Sequence, residues 1–293
     1  MSRIQVLDQI TIDKIAAGEV IERPASVIKE LAENAVDAGA TAITVEIADG
    51  GISFMRIADN GCGIGREDVR SAFLRHSTSK IRSADDLARI GSLGFRGEAL
   101  SSIAAVAQVE LVTKVKEEES GTKYRIAGGK EEDLTETGAP EGTTFLVHQL
   151  FYNTPARKKF LKTAMTEGSY VGDLMTRLAL SRPDISFRFI SNGQVRLHTS
   201  GNGNLKDAIY HLYGREIASN LLRAEYEKNG IKITGYLGKP VISRGNRNFE
   251  NYFVSGRYIK SQMISKAIED AYKDFTMQHK YPFAVLHIEI DGE

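Results

Sequence analysis

Three side chains on one helical stripe are the first candidates for chemistry in this sequence. From Pro24 to Ala38, apolar residues recur at Val27, Ile28, Leu31 and Ala35, and Glu30, Asn34 and Asp37 fall at i, i+4 and i+7 on another face. Short oxygen-bearing groups so placed suit a magnesium–phosphate site, where one ligates the metal, one accepts a proton from water and one fixes the other two. By itself, such a stripe is more often the solvated side of an amphipathic helix. A second candidate is the turn Asp59-Asn60-Gly61-Cys62-Gly63-Ile64-Gly65, which follows a strand pattern. A carboxylate at a strand end can accept a hydrogen bond from an exocyclic amine such as that of adenine, and glycines let backbone approach a flat ligand. The turn is neither a Walker-A loop nor a dinucleotide fingerprint, since GK[ST] and GxGxxG are both absent, and alone it is more often only a turn.

A third candidate has two parts, Arg75-His76-Ser77-Thr78-Ser79-Lys80 and Gly94-Phe95-Arg96-Gly97-Glu98-Ala99-Leu100, which bracket a long polar stretch. The second part opens a helix, whose free N–H groups attract phosphate together with Lys80 and Arg96. A stretch of this length within a compact domain is either disordered or a functional lid. His76 has no second ligand at metal spacing and reads as a hydrogen-bonded or surface histidine. Cys62, the sole cysteine, lacks an activating partner and reads as a space-filler between glycines, not a nucleophile.

The elements that must hold these groups follow from periodicity and turn residues. Thr11 to Ala17 reads as a short helix stopping at Gly18. Pro24 suits a first helical turn and Gly39 its end. Strands Thr41 to Ala48 and Ile52 to Ala58 flank the turn Asp49-Gly50-Gly51. Helices are expected from Arg66 to Leu74, Glu98 to Val106, Met165 to Ser181, Leu205 to Leu212 and Gln262 to Phe275. Further strands are expected over 109–115, 122–127, 143–150, 186–191, 194–198, 221–227, 231–237, 251–255 and 283–290. The small polar run Ser200 to Asn204 is the best linker, giving two α+β domains, 1–203 and 204–293.

Composition narrows the class. The 293 residues suffice for two ordinary domains or one large one, and 42% hydrophobic with 26% charged residues is typical of a soluble globular protein. Lys and Arg total 38 and so do Asp and Glu, so any grip on nucleic acid must come from a local patch. One cysteine excludes an intrachain disulfide. No signal-peptide core or membrane-length apolar run is present, so the expected place is the cytoplasm (nucleoid-associated) of a bacterium or the nucleus of a eukaryote.

Taken in order, IAAGEV (Ile15 to Val20), KELAENAVDAGA (Lys29 to Ala40), DNGCGI (Asp59 to Ile64), RHSTSK (Arg75 to Lys80), GFRGEAL (Gly94 to Leu100) and LFYNTPARKKFLK (Leu150 to Lys162) resemble the signature of the MutL family of DNA mismatch repair proteins, a branch of the GHKL ATPases. GFRGEAL with NTPARKKFL is specific to that branch, and the likeness covers essentially the whole chain. The resemblance implies an α+β fold, with a GHKL (Bergerat-type) ATPase α/β sandwich followed by a ribosomal-protein-S5-domain-2-like domain, incomplete at its C-terminus. It implies ATP and Mg2+ as cofactors, with Glu30 as the general base, Asn34 as the magnesium ligand and Asp37 beside them in the ATP site. Asp59 would accept from the adenine amine, Gly61 and Gly63 would make room for the ring, and Thr143 would lie beside it. Ser77, Thr78, Ser79 and Lys80, with Gly94, Phe95, Arg96 and Gly97, would form the lid that closes over the phosphates, and Glu98, Ala99 and Leu100 would belong to the same ATP site.

For the second domain the resemblance implies DNA contact through Arg257, to the phosphate backbone and not to particular bases. Arg244, Arg247 and Lys260 stand near it in sequence, with solvated surface charge an equal reading for those three. A lysine that reaches the γ-phosphate is expected beyond the strand ending at Ile290, and with the sequence ending at Glu293 slow turnover is expected. The implied partners are DNA, the mismatch-recognition protein MutS and a second copy of the chain, joined on ATP binding, with no membrane. The alternative is a nucleotide-gated scaffold of the same site with little intrinsic catalysis, which needs Asp59, Asn34 and a mobile lid but not Glu30. Another GHKL enzyme, a topoisomerase subunit or histidine kinase, would leave GFRGEAL and NTPARKKFL unexplained.

Overall fold

The computed structural model describes residues 17, 18, 20–75, 77 and 97–290. Expectations for Thr11 to Ala16, His76, Thr78, Ser79, Lys80, Gly94, Phe95 and Arg96 lie outside these residues. The chain divides into two units, one taking in the residues up to Leu174 with Phe187–Arg196, the other Met175–Ser186 with Leu197 onward.

In the first unit, helix α1 (Pro24–Asp37) starts where the sequence requires it. Pro24 occupies the first turn after an extended Arg23, the backbone that a following proline favours. Val27, Ile28, Leu31, Ala32, Ala35 and Val36 are buried along one side. At its end Gly39 takes φ +74°, its N–H donating to the Val36 carbonyl at 3.0 Å while the Ala40 N–H donates to that of Ala35 at 3.1 Å. This is the Schellman closure, which satisfies two orphan carbonyls and turns the chain into the first strand.

Strands β1 (Ala42–Ala48) and β2 (Phe54–Asp59) pair antiparallel, joined by a tight turn at Asp49–Gly51. After a helix, α2 (Ala99–Val106), come β3 (Gln108–Lys114), β4 (Gly121–Ala127), β5 (Lys130–Thr137) and β6 (Gly142–His148). Helix α3 (Ala164–Ser181) leads to β7 (Ser186–Ser191) and β8 (Gln194–His198). The eight strands form one sheet in the order β5-β4-β3-β6-β2-β1-β7-β8, with α1 and α2 packed on it.

The register explains how this sheet both folds and makes a site. One row across its buried face runs Ile47, Met55, Val147, Val109, Ile126, and the next runs Val45, Ile57, Phe145, Leu111, Tyr124. The third row, two residues further along each strand, runs Ile43, Asp59, Thr143, Thr113, Thr122. The packed face thus changes from hydrocarbon to oxygen at one end of the sheet, where its polar groups must be paired with one another or with a ligand.

The second unit is built on a five-stranded sheet. Helix α4 (Leu205–Ser219) precedes β9 (Leu221–Lys228), β10 (Ile231–Gly238), β11 (Glu250–Val254), β12 (Arg257–Ile259), helix α5 (Gln262–Tyr272) and β13 (Ala284–Ile290). The order is β12-β11-β13-β10-β9, with β11 and β13 parallel and the remaining pairs antiparallel. Phe253, Phe283, Val285, Ile209, Ile217 and Ile242 form its main core.

Several expectations are corrected. The helix expected from Arg66 to Leu74 shrinks to Val69–Ala72. Strands β5 and β12 went unforeseen, because KEEDLTET is an exposed polar edge strand without apolar alternation and RYI is only three residues long. Helix α4 runs past Leu212 to Ser219, but Gly214 at φ +84° breaks its backbone. The expected α+β architecture with mixed sheets and helices is what the chain adopts.

Candidate functional site

The polar row is the natural place to start. Asp59 ends β2, and its carboxylate accepts the Gly61 N–H at 2.9 Å and a backbone hydrogen bond from Thr143, its cross-strand partner. Burial raises the carboxyl above its ordinary value, and these two bonds oppose that rise without cancelling it. A half-buried carboxylate with acceptor capacity to spare is well suited to an incoming amine.

The turn after Asp59 is clamped from three sides. Asn60 Oδ1 accepts the N–H groups of Thr41 and Ala42 at 2.9 and 2.8 Å, so this side chain ties the turn to the start of β1. The Cys62 N–H donates to the Ala38 carbonyl at 3.0 Å, placing the turn against the end of α1. A Cβ on Gly61 would stand 2.9 Å from Ala38 Cβ, and one on Gly63, at φ +74°, would stand 2.2 Å from the Lys114 carbonyl oxygen. The glycines are therefore required by close protein backbone, whatever room they also leave for a ring. Cys62 is exposed, so it fills no packed space, a correction to the expectation for it.

On α1, Glu30, Asn34 and Asp37 are all half-exposed, as their shared stripe predicts. The structure adds Glu33, at i+3 from Glu30, which the sequence reading passed over although helical spacing places it beside the others. Lys29 Nζ lies 2.9 Å from Glu33 Oε2 and 3.4 Å from Glu30 Oε1. The Glu33 side chain is 14% exposed against 27% for Glu30. Burial raises the Glu33 carboxyl, Lys29 opposes the rise, and Glu30 and Asp37 add to it.

Of the bracketing segments, Ser77 and Gly97 meet, since a Cβ on Gly97 would lie 2.7 Å from the Ser77 carbonyl oxygen. Gly97, at φ +62°, leads through Glu98 into α2, with Ala99 and Leu100 in its first turn. The two flanks of the polar stretch thus converge at the start of a helix.

Thr143 is buried and its Oγ1 lies 3.1 Å from Thr113 Oγ1. Thr113 and Thr122, both buried, were missed by sequence reasoning, although Thr113 is in phase with Val109 and Leu111 along its strand. Among the described residues, no group of three or more His, Cys, Asp and Glu is arranged to hold a metal ion. In the second unit, Arg257 opens β12 and is exposed. Arg247 is paired with Glu269 at 2.5 Å and lies over the Tyr281 ring, and Arg244 lies over Phe249, so both pack against the protein.

Residues 21–141 match a family model described as histidine kinase-, DNA gyrase B- and HSP90-like ATPase, and residues 209–293 match one described as DNA mismatch repair protein, C-terminal domain. The chain is 66% identical over 293 residues to the DNA mismatch repair protein MutL of Agathobacter rectalis, covering 100% of this chain and 45% of that protein. It is 51% identical to its namesake from Clostridium botulinum (strain Eklund 17B / Type B), covering 100% of this chain and 44% of that one. The chain spans about half the length of these relatives. Among solved structures, the Aquifex aeolicus MutL ATPase domain complexed with ADP aligns with a TM-score of 0.70 at 28% identity, covering 93% of each chain. The N-terminal domain of a DNA repair protein aligns with a TM-score of 0.80 at 25% identity, covering 95% of this chain and 86% of the other.

Proposed function

This chain belongs to the MutL family of DNA mismatch repair proteins, and from that premise we propose that its first unit binds ATP with magnesium and hydrolyses it to drive a DNA clamp. The observation that carries this reading is the oxygen-rich end of the first sheet, with Asp59 held at the mouth of a turn that docks on the end of α1. Asp59 takes the adenine amine, with Thr143 beside it. The α1 stripe would face the phosphates, where Asn34 would hold magnesium and Glu30 would take the proton from the attacking water.

The donor set fits magnesium. Asn34, on one stripe with Glu30 and Asp37, offers a short oxygen group that would hold the ion together with the nucleotide's phosphates. The ion would supply charge neutralisation along the phosphates, while the protein supplies position. Ser77 and the Gly97 to Leu100 segment flank the lid, and Glu98 opens the helix whose N–H groups meet phosphate.

Closure of that lid on ATP joins two copies. Arg257, with Lys260 beyond it, then holds the DNA backbone, and MutS with downstream repair factors senses the state of the clamp. The place of action is the bacterial cytoplasm, at the nucleoid.

Calorimetric titration of a non-hydrolysable ATP analogue with magnesium tests the core of the reading. Saturable binding is expected, abolished in Asp59→Ala, and retained in Glu30→Ala with hydrolysis lost. Absence of binding in the unmodified chain refutes it.

A further inference from the structure

We infer that Thr113, buried behind the turn, fixes the direction of the Thr143 hydroxyl proton and thereby selects adenine over guanine, an inference that rests on the nucleotide reading of Asp59 and Thr143. Thr113 is fully buried, so a ligand does not reach it, and it is a positioning residue that acts through Thr143.

Its hydroxyl has three polar neighbours. The Ile64 N–H, 2.9 Å away, can only donate. The Gly142 carbonyl oxygen, 3.1 Å away, can only accept. The third is Thr143 Oγ1 at 3.1 Å, where either oxygen can be the donor. A hydroxyl has one proton to give and two positions at which to accept. With the Thr113 proton given to Gly142 and one lone pair taken by Ile64, the remaining contact closes only if Thr143 donates. All four groups are then satisfied, as burial demands.

The consequence falls on Thr143. Its single proton points inward to Thr113, so towards any ligand its oxygen presents lone pairs alone. The same residue's backbone binds the Asp59 carboxylate, so two acceptors stand side by side. Adenine brings an exocyclic amine, which donates. Guanine brings a carbonyl oxygen to the corresponding corner, and lone pairs would then oppose lone pairs. Discrimination of this kind comes from what the site refuses as much as from what it binds. Thr113 also joins the turn at Ile64 to the strand at Gly142, beside the paired Asp59 and Thr143.

The test compares the affinities of non-hydrolysable ATP and GTP analogues, each with magnesium, by calorimetry on the whole chain. Thr113→Val keeps the volume and removes both donor and acceptor, freeing the Thr143 proton to turn outward. The ATP-over-GTP preference is expected to fall about tenfold and to return in Thr113→Ser. In a Thr143→Val background, adding Thr113→Val is expected to change the preference no further, since its effect passes through Thr143. An equal loss for both nucleotides, with the preference unchanged, marks Thr113 as a mere structural prop and overturns the inference, as does additivity with Thr143→Val. If the valine variant does not fold, Thr113→Cys, of similar volume and a weaker hydrogen-bonder, is read by the same ratio, and an unchanged ratio again overturns it. Failure of the unmodified chain to bind the ATP analogue overturns the nucleotide reading itself, a result distinct from failure at Thr113.

Discussion

Asp59 shows how a residue proposed to bind a ligand is maintained against folding. Its carboxyl is raised above the ordinary 3.8 by burial, in spite of the backbone bonds from Gly61 and Thr143. The folded chain therefore holds the proton more tightly than the unfolded chain does, and stability from this group is full below 3.8 and is lost as pH rises through the folded value. Near neutrality the ionised carboxylate is a net cost. Asp59→Asn keeps an acceptor and removes the charge, so its thermal midpoint should exceed that of the unmodified chain at about pH 7, the gap closing towards about pH 4. Its affinity for the ATP analogue should fall by about tenfold or more, because the amide nitrogen can turn a donor to the amine. A midpoint below the unmodified chain at neutral pH would show that the backbone bonds to the carboxylate outweigh its burial. Asp59, the glycines and the α1 stripe were legible because local spacing exposes them. Thr113 was not, since a threonine in an apolar strand announces itself only when the register sets it between Ile64, Gly142 and Thr143.

At the scale of elements, legibility followed the strength of the local code. Helix α1 has a proline start, an apolar stripe and a glycine stop, and all three signals agree with its fold. Strand β5 has none of these. KEEDLTET pairs because β4 offers it an edge, and Arg70 and Glu131 join it to the short Val69–Ala72 helix with an ion pair at 2.7 Å. That helix, expected to be longer, is followed by Phe73, whose ring lies 5.1 Å from that of Tyr124. The glycine stop of α1 allows a clean measurement. A Cβ at Gly39 would meet nothing within 4 Å, so replacement acts on the backbone alone. Gly39→Ala should cost about 1–2 kcal/mol in urea unfolding, with the denaturant slope unchanged. Because the Schellman turn also positions Ala38 against Cys62, nucleotide affinity should weaken along with stability. A variant as stable as the unmodified chain would show that α1 ends by other means.

The 293 residues carry no net charge, with 38 basic and 38 acidic side chains, so a hold on DNA by them cannot be a property of their bulk field. It has to be a patch, and the second unit narrows the choice. Arg247 is committed to Glu269 and Tyr281, and Arg244 stacks on Phe249, while Arg257 is exposed at the start of the edge strand β12 with Lys260 also exposed beyond it. The sequence could count these charges but not sort them, because pairing is settled only when α5 brings Glu269 to Arg247. Each phosphate neutralised contributes a nearly fixed slope to the salt dependence of binding. Fluorescence anisotropy with two duplexes of unrelated sequence, titrated across a range of salt, should therefore give the same slope for both. Arg257→Glu should lower that slope by about one and weaken both complexes alike. Arg247→Ala should change stability more than slope, since its charge is already spent within the protein. A slope unaltered by Arg257→Glu would move the DNA surface elsewhere on the chain. A loss confined to one duplex would mean that the second unit reads bases, against the backbone grip that a repair factor working at any sequence needs.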